Sequence, residues 1–254
     1  ILFWMIGLGK LLCPNSDKAW NRKEVATHQG EDDFWDSIHG KVYDISDFWK
    51  RQHSDTAIET TTANMQPLAG LDMDEYFVPP LNMACKGLGI GETTRLRANT
   101  TAEYTTAVHT SGYYCLDSTS ALSKDDWYWT NFEPGIKEYY HGELVYSDSK
   151  FKAEAEEGRM WAKYGNKIYD LTDYFYTQGL YKNDKKYEFL NEQVSKLWKD
   201  NPGKNIKEEL DIMLADTVNK TKHDNVVASW RCIQAISYKG ISDFRESAKC
   251  QVNN

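Results

Sequence analysis

The chain has 254 residues, 41% of them hydrophobic and 13% aromatic, with a formal net charge of −8, which is enough apolar material for one large core or two of ordinary size. The acidic balance and the lack of any Lys/Arg-rich run exclude a nucleic-acid-binding surface, because phosphate needs a basic face. No pair of cysteines has the C-x-x-C spacing, which excludes zinc-ribbon and thioredoxin-like sites.

The first stretch, 1–14, is apolar but shorter than the roughly 20 residues that cross a bilayer. Trp4 and Lys10 stand where interfacial anchors belong, so it reads as the truncated end of a transmembrane helix, with a buried N-terminal helix or strand as the alternative. It lacks the basic lead and small-residue cleavage site of a signal peptide. Asn21 and Glu24 have the spacing of a capping box and predict a helix start. From Phe34 to Phe48 the sequence writes a strand, a tight turn at Gly40-Lys41, a second strand and an Asp/Ser cap. Residues 56–70 read as a loop or short capped helix, and Pro79-Pro80 and Gly87-Leu88-Gly89 punctuate an irregular stretch. The Thr-dense segment 93–106 suits an exposed strand or hairpin. Helices are predicted over 150–157, 187–199 and 206–218, and the apolar run 226–236 reads as a strand or helix that closes a core.

The strand-turn-strand motif occurs twice. Trp161, Lys167, Ile168, Tyr169, Asp170, Leu171, Thr172, Asp173 and Tyr174 repeat Trp35, Lys41, Val42, Tyr43, Asp44, Ile45, Ser46, Asp47 and Phe48 at one constant offset of 126 residues. A constant register over a whole supersecondary unit points to two related units in tandem.

The motif, with the capped helix before it, resembles the start of a cytochrome b5-like domain. That resemblance implies an α+β fold made of two tandem cytochrome b5-like modules, over 15–120 and 141–254, joined by a linker over 121–140. In the family a His-Pro-Gly-Gly element supplies one haem ligand; here the place reads Gln52-His53-Ser54-Asp55-Thr56, and in the second copy it falls at Gly179. The later candidate, His109, is farther along the chain than the family's second ligand. The expectation is therefore a degenerate pair of modules without haem or other cofactor, and a haem-binding redox module through His53 is the alternative.

With its Cys13-Pro14-Asn15 and the segment from Ala19 to His28, nearly the whole chain resembles a region of fungal chitin synthases, closest to the large division with classes IV, V and VII, and to class V, whose members carry a myosin-like motor. The resemblance implies a non-catalytic accessory domain, structural, regulatory or partner-binding, in a membrane glycosyltransferase that polymerises N-acetylglucosamine from its UDP-sugar for the cell wall. It implies as partners the rest of that chain, the membrane through residues before Ile1, and nascent chitin or a regulatory protein. The place is the plasma membrane or a secretory vesicle, with this region on the extracytoplasmic side. No Gln-Arg-Arg-Arg-Trp element or strand-aimed carboxylate set is present, so no catalytic or metal-binding residue is assigned. Glu31-Asp32-Asp33 and Asp125-Asp126 read as solvated acidic turns.

Three further groups carry expectations. Trp127, Trp129, Tyr139 and Tyr140, with Phe132, Tyr113 and Tyr114 near them in sequence, form either a sugar-stacking platform for chitin oligomers or an aromatic clamp between modules. Cys85, Cys115, Cys232 and Cys250 make an even set that could form two disulfides outside the cytosol, and Asn99 and Asn219 head glycosylation sequons.

Overall fold

The computed structural model describes residues 13–51, 53, 64–99, 109–115, 117–247 and 250. The apolar 1–12 stretch lies outside them, and among the described residues no helix is long and apolar enough to cross a membrane. The chain opens with β1 (Ala19–Trp20) and helix α1 (Arg22–Val25). The Asn21 side chain accepts the N–H groups of Lys23 and Glu24, and Glu24 accepts the Asn21 N–H in return, the capping box expected from the sequence. Strands β2 (Gln29–Gly30), β3 (Asp33–Ile38) and β4 (Lys41–Asp44) follow. The β3–β4 turn falls at His39-Gly40, both with positive φ, which suits a two-residue hairpin loop. Gly40 is needed twice over, because a Cβ there would also sit 2.5 Å from the Gly240 nitrogen.

Among the described residues after β4 come the short helices α2 (Leu81–Ala84) and α3 (Glu133–Ile136), then β5 (Tyr140–Tyr146), α4 (Asp148–Glu156), β6 (Trp161–Tyr164), β7 (Lys167–Asp170), α5 (Thr172–Leu180), α6 (Glu192–Asp200), α7 (Lys207–Ala215), α8 (Lys220–Ile236) and β8 (Tyr238–Ser242). This is a mixed α+β fold around one sheet, ordered β2-β3-β4-β5-β8-β7-β6, with β1 added beside β5. The open question over 226–236 is settled as helix, and 93–99 has no regular structure.

The 126-residue offset reappears in the hydrogen bonds. Ile45 N–H donates to the Phe34 carbonyl and Leu171 N–H to that of Met160. Phe34 N–H donates to Ser46 Oγ, and Met160 N–H to Thr172 Oγ1, both at 2.9 Å. Val42 faces Gly142 and Ile168 faces Gly240, each pair followed by a bulge in the same place. Even β1 has its counterpart: Ala19-Trp20 lie parallel to Glu143-Leu144, and Val145-Tyr146 lie parallel to Ile241-Ser242. Asn21 and Ser147, again 126 apart, cap the helices that follow.

The two copies are nevertheless not separate folds on a linker, as the sequence had suggested. Strand β5 serves both: its first residues pair with β4, and its last two pair with β8. Between the copies, Trp35, Val42, Trp161 and Ile168 share one buried cluster with Leu144, Tyr146, Phe151 and Val25. The expected linker also packs, since Phe132, Ile136 and Tyr139 lie against the first core of Phe34, Tyr43, Ile45, Trp49 and Tyr76. Leu81 and Cys85, from the first half of the sequence, are buried in the second core beside Trp198, Leu210 and Ile233.

Candidate functional site

Where the two halves meet, Lys239 forms an ion-paired cluster with Asp72 and Asp74. The bulge in β8 adds Lys239 opposite a regular β7, and bulges re-aim side chains. Lys239 Nζ reaches Asp72 Oδ2 at 2.9 Å and Asp74 Oδ2 at 2.6 Å. A parallel bridge from Ser37 of β3 to Asp72 fixes these carboxylates in place. Asp74 Oδ1 also accepts the His39 N–H, and His39 Nε2 bonds the Phe77 carbonyl at 2.8 Å. Burial opposes the charge on Lys239, but the two carboxylates outweigh it and hold the ammonium well above its usual range. Burial likewise opposes the charge on Asp74, yet Lys239 and His39 keep that carboxyl well below the usual range, while burial and the neighbouring Asp74 push Asp72 up.

Next along the chain, Glu75 and Asp173 of α5 stand at the same cavity, near enough for each carboxyl to bear on the other's titration. Burial, then the charge of Asp173, pushes Glu75 up to about 8. Burial also raises Asp173, against the 2.7 Å bond it accepts from the Asn99 N–H. At neutral pH the pair therefore holds a shared proton. It lines a cavity of about 590 Å³ bounded by segments 74–82, 92–98 and 109–114, by α5 and by the start of β8. Ser111, only 5% exposed, lines it too, and its Oγ is buried without a hydrogen-bond partner. Tyr113 and Tyr176 stand at the cavity with 59% and 39% of their surface exposed. The arrangement offers neutral hydrogen-bonding groups and ring faces. Among the described residues no cluster of His, Cys, Asp or Glu is placed to hold a metal.

The residues singled out from sequence do not converge here. His53 is exposed, its Nδ1 on the Arg51 carbonyl and its ring 4.7 Å from that of Phe48. His109 stacks on Phe77 and Trp127, and the first core is filled by its own aromatic rings. His28 and His141 pack on Trp35. Trp127 and Trp129 lie half-buried in one helical turn, Tyr139 packs on Phe48, and Tyr140 donates to Glu143; they do not present one flat exposed platform. Asn99 and Asn219 are both exposed, Asn219 as the cap of α8.

The cysteine expectation needs correcting. Cys85 pairs with Cys232, but Cys250 pairs with Cys13 and Cys115 is a free thiol. Cys13 lies beside the apolar 1–12 run, far from the other cysteines in sequence, so no local spacing signals its pairing with Cys250. Glu75, Ser111 and Lys239 were missed as well. The one legible signal was Tyr140-His141-Gly142, whose Tyr-x-Gly pattern recurs as Tyr238-Lys239-Gly240.

Comparison with known proteins gives two kinds of match. Residues 21–145 match the cytochrome b5-like Heme/Steroid binding domain, a span that ends on β5 where its pairing passes from β4 to β8. Over its whole length the chain is 59% identical to chitin synthase Vb of Fusarium oxysporum, 56% identical to chitin synthase 7 of Gibberella zeae and 37% identical to chitin synthase 4 of Cryptococcus neoformans. It spans 14% of the length of the first two relatives and 20% of the third. No solved structure matches the chain.

Proposed function

Residues 21–145 being a cytochrome b5-like domain, and the whole chain aligning with a segment of fungal chitin synthases, we propose that it is a non-catalytic accessory domain of such an enzyme. The observation that carries this reading is the polar junction: Lys239, Asp72 and Asp74 pair with one another across the two halves, and among the described residues no cluster of His, Cys, Asp or Glu is placed to hold a metal on a nucleotide sugar. Its work is structural, regulatory or partner-binding, within a chain whose catalytic part polymerises N-acetylglucosamine.

The recurrence of hydrogen bonds at the 126-residue offset supports a second, degenerate cytochrome b5-like copy from Val145 onward. A first core occupied by its own side chains, and the place of the His-Pro-Gly-Gly element reading Gln52-His53-Ser54-Asp55-Thr56, support a domain without haem. Two disulfides and two exposed sequon asparagines support an extracytoplasmic position. The deciding experiment deletes residues 13–250 from a full-length synthase. The expected result is unchanged turnover per enzyme molecule in isolated membranes with altered delivery or activation in cells; abolished turnover in membranes would overturn the accessory role. A haemin titration should leave the protein colourless, and a stoichiometric Soret band lost in His53→Ala would reinstate the redox reading.

A further inference from the structure

We propose that the cavity between the two halves is a saccharide site, in which the Glu75–Asp173 carboxyl pair and the Ser111 hydroxyl bond sugar hydroxyl or acetamido groups while Tyr113 and Tyr176 cover an apolar ring face. The volume of about 590 Å³ falls inside the range of about 300–1,000 Å³ typical of small-molecule sites. The charge balance of the lining favours a neutral ligand. Lys239 is matched by Asp72 and Asp74. Arg95 lies over the Tyr114 ring, and Arg97 bonds the Tyr181 hydroxyl, so a cationic ligand would meet two guanidinium groups at the rim. An anionic ligand would meet Glu92 and Asp170.

A carboxyl pair that holds one proton presents an O–H donor beside carbonyl-type acceptors, the combination that neighbouring sugar hydroxyls satisfy. Ser111 Oγ, buried and without a partner, is an orphan that a bound hydroxyl or amide would satisfy. The exposed tyrosine rings supply the flat apolar contact that a pyranose offers in return. This site is distinct from Trp127, Trp129, Tyr139 and Tyr140. The choice of an N-acetylglucosamine oligomer as the sugar rests on the accessory-domain reading above.

The test titrates the 254-residue protein with triacetylchitotriose, its deacetylated trimer and maltotriose, by calorimetry and amide chemical shifts up to about 10 mM. The acetylated trimer should bind, shifting amides of segments 74–82 and 109–114. Ser111→Ala and Tyr176→Ala should each weaken it by about tenfold, with Ser111→Ala leaving the melting temperature undiminished. No binding of any trimer overturns the proposal. So does tighter binding of the deacetylated trimer with proton release, which marks an ammonium site, and so do shifts confined to residues 127–140. None of these outcomes bears on the membrane turnover assay, so the accessory role stands or falls separately.

Discussion

Replacing Glu75 by Gln should stabilise the protein, and by an amount that grows with pH. In the folded chain Glu75 is pushed from an ordinary 4.5 up to about 8, and each pH unit between those values withdraws about 1.36 kcal/mol of stability. The ceiling is therefore about 4.8 kcal/mol. Water reaches the cavity and Asp173 shares the proton, so a gain of about 2–3 kcal/mol is expected. Below about pH 4.5 the carboxyl is protonated in the folded and unfolded chains alike, and the two proteins should melt together. Between there and about pH 8 the native protein loses stability that the amide keeps, and the difference then levels off. A chain of this size moves about 2–4 °C per kcal/mol, so circular-dichroism melts from pH 5 to 9 should diverge by roughly 4–12 °C. A pH-independent difference, or a variant that melts lower at pH 9, would refute the shared-proton account of the pair.

Lys239→Met strands Asp72 and Asp74 without their counter-ion, so urea titration should show a loss of about 3–5 kcal/mol that Asp74→Asn partly restores. Gly240→Ala forces a Cβ onto the Leu144 carbonyl at a φ of 134° and should cost on the order of 3 kcal/mol. Gly179→Ala in α5 meets nothing within 4 Å and should gain about 0.5–1 kcal/mol. If both glycine variants behave alike, the close approach of β5 and β8 is not what fixes Gly240. Removing the Cys85–Cys232 bridge as the double Ser variant should cost about 2–5 kcal/mol, whereas Cys115→Ser should stay within about 0.5 kcal/mol of the parent in the same denaturation series.

What the sequence makes legible is what neighbouring residues decide. The capping box at Asn21, the β3–β4 hairpin and the helices near 150, 190 and 210 all announce themselves through local spacing. The second copy is visible for the same reason, because its hairpin keeps Trp, Lys, Tyr and Asp in register. Strand β5 is not legible in this way. Gly142 and His141 dilute its pattern, and its double role depends on two residues, Val145 and Tyr146, meeting β8 about a hundred positions later. The site is less legible still. Asp72, Asp74 and Glu75 carry no signal of their own in the sequence, because Lys239 and Asp173 come to them from the other half and no short-range pattern encodes that arrival.

The Cys13–Cys250 bond, spanning 237 residues, gives the fold a particular mechanical property. The chain segments that flank these two cysteines emerge from one covalently clasped point. Tension applied between those segments therefore runs through a sulfur–sulfur bond and bypasses the sheet, leaving β5 and the polar junction unloaded. Reducing that single bond reroutes the same force into β1 and β8, so the clasp determines whether the domain acts under load as an inert bead or as a spring.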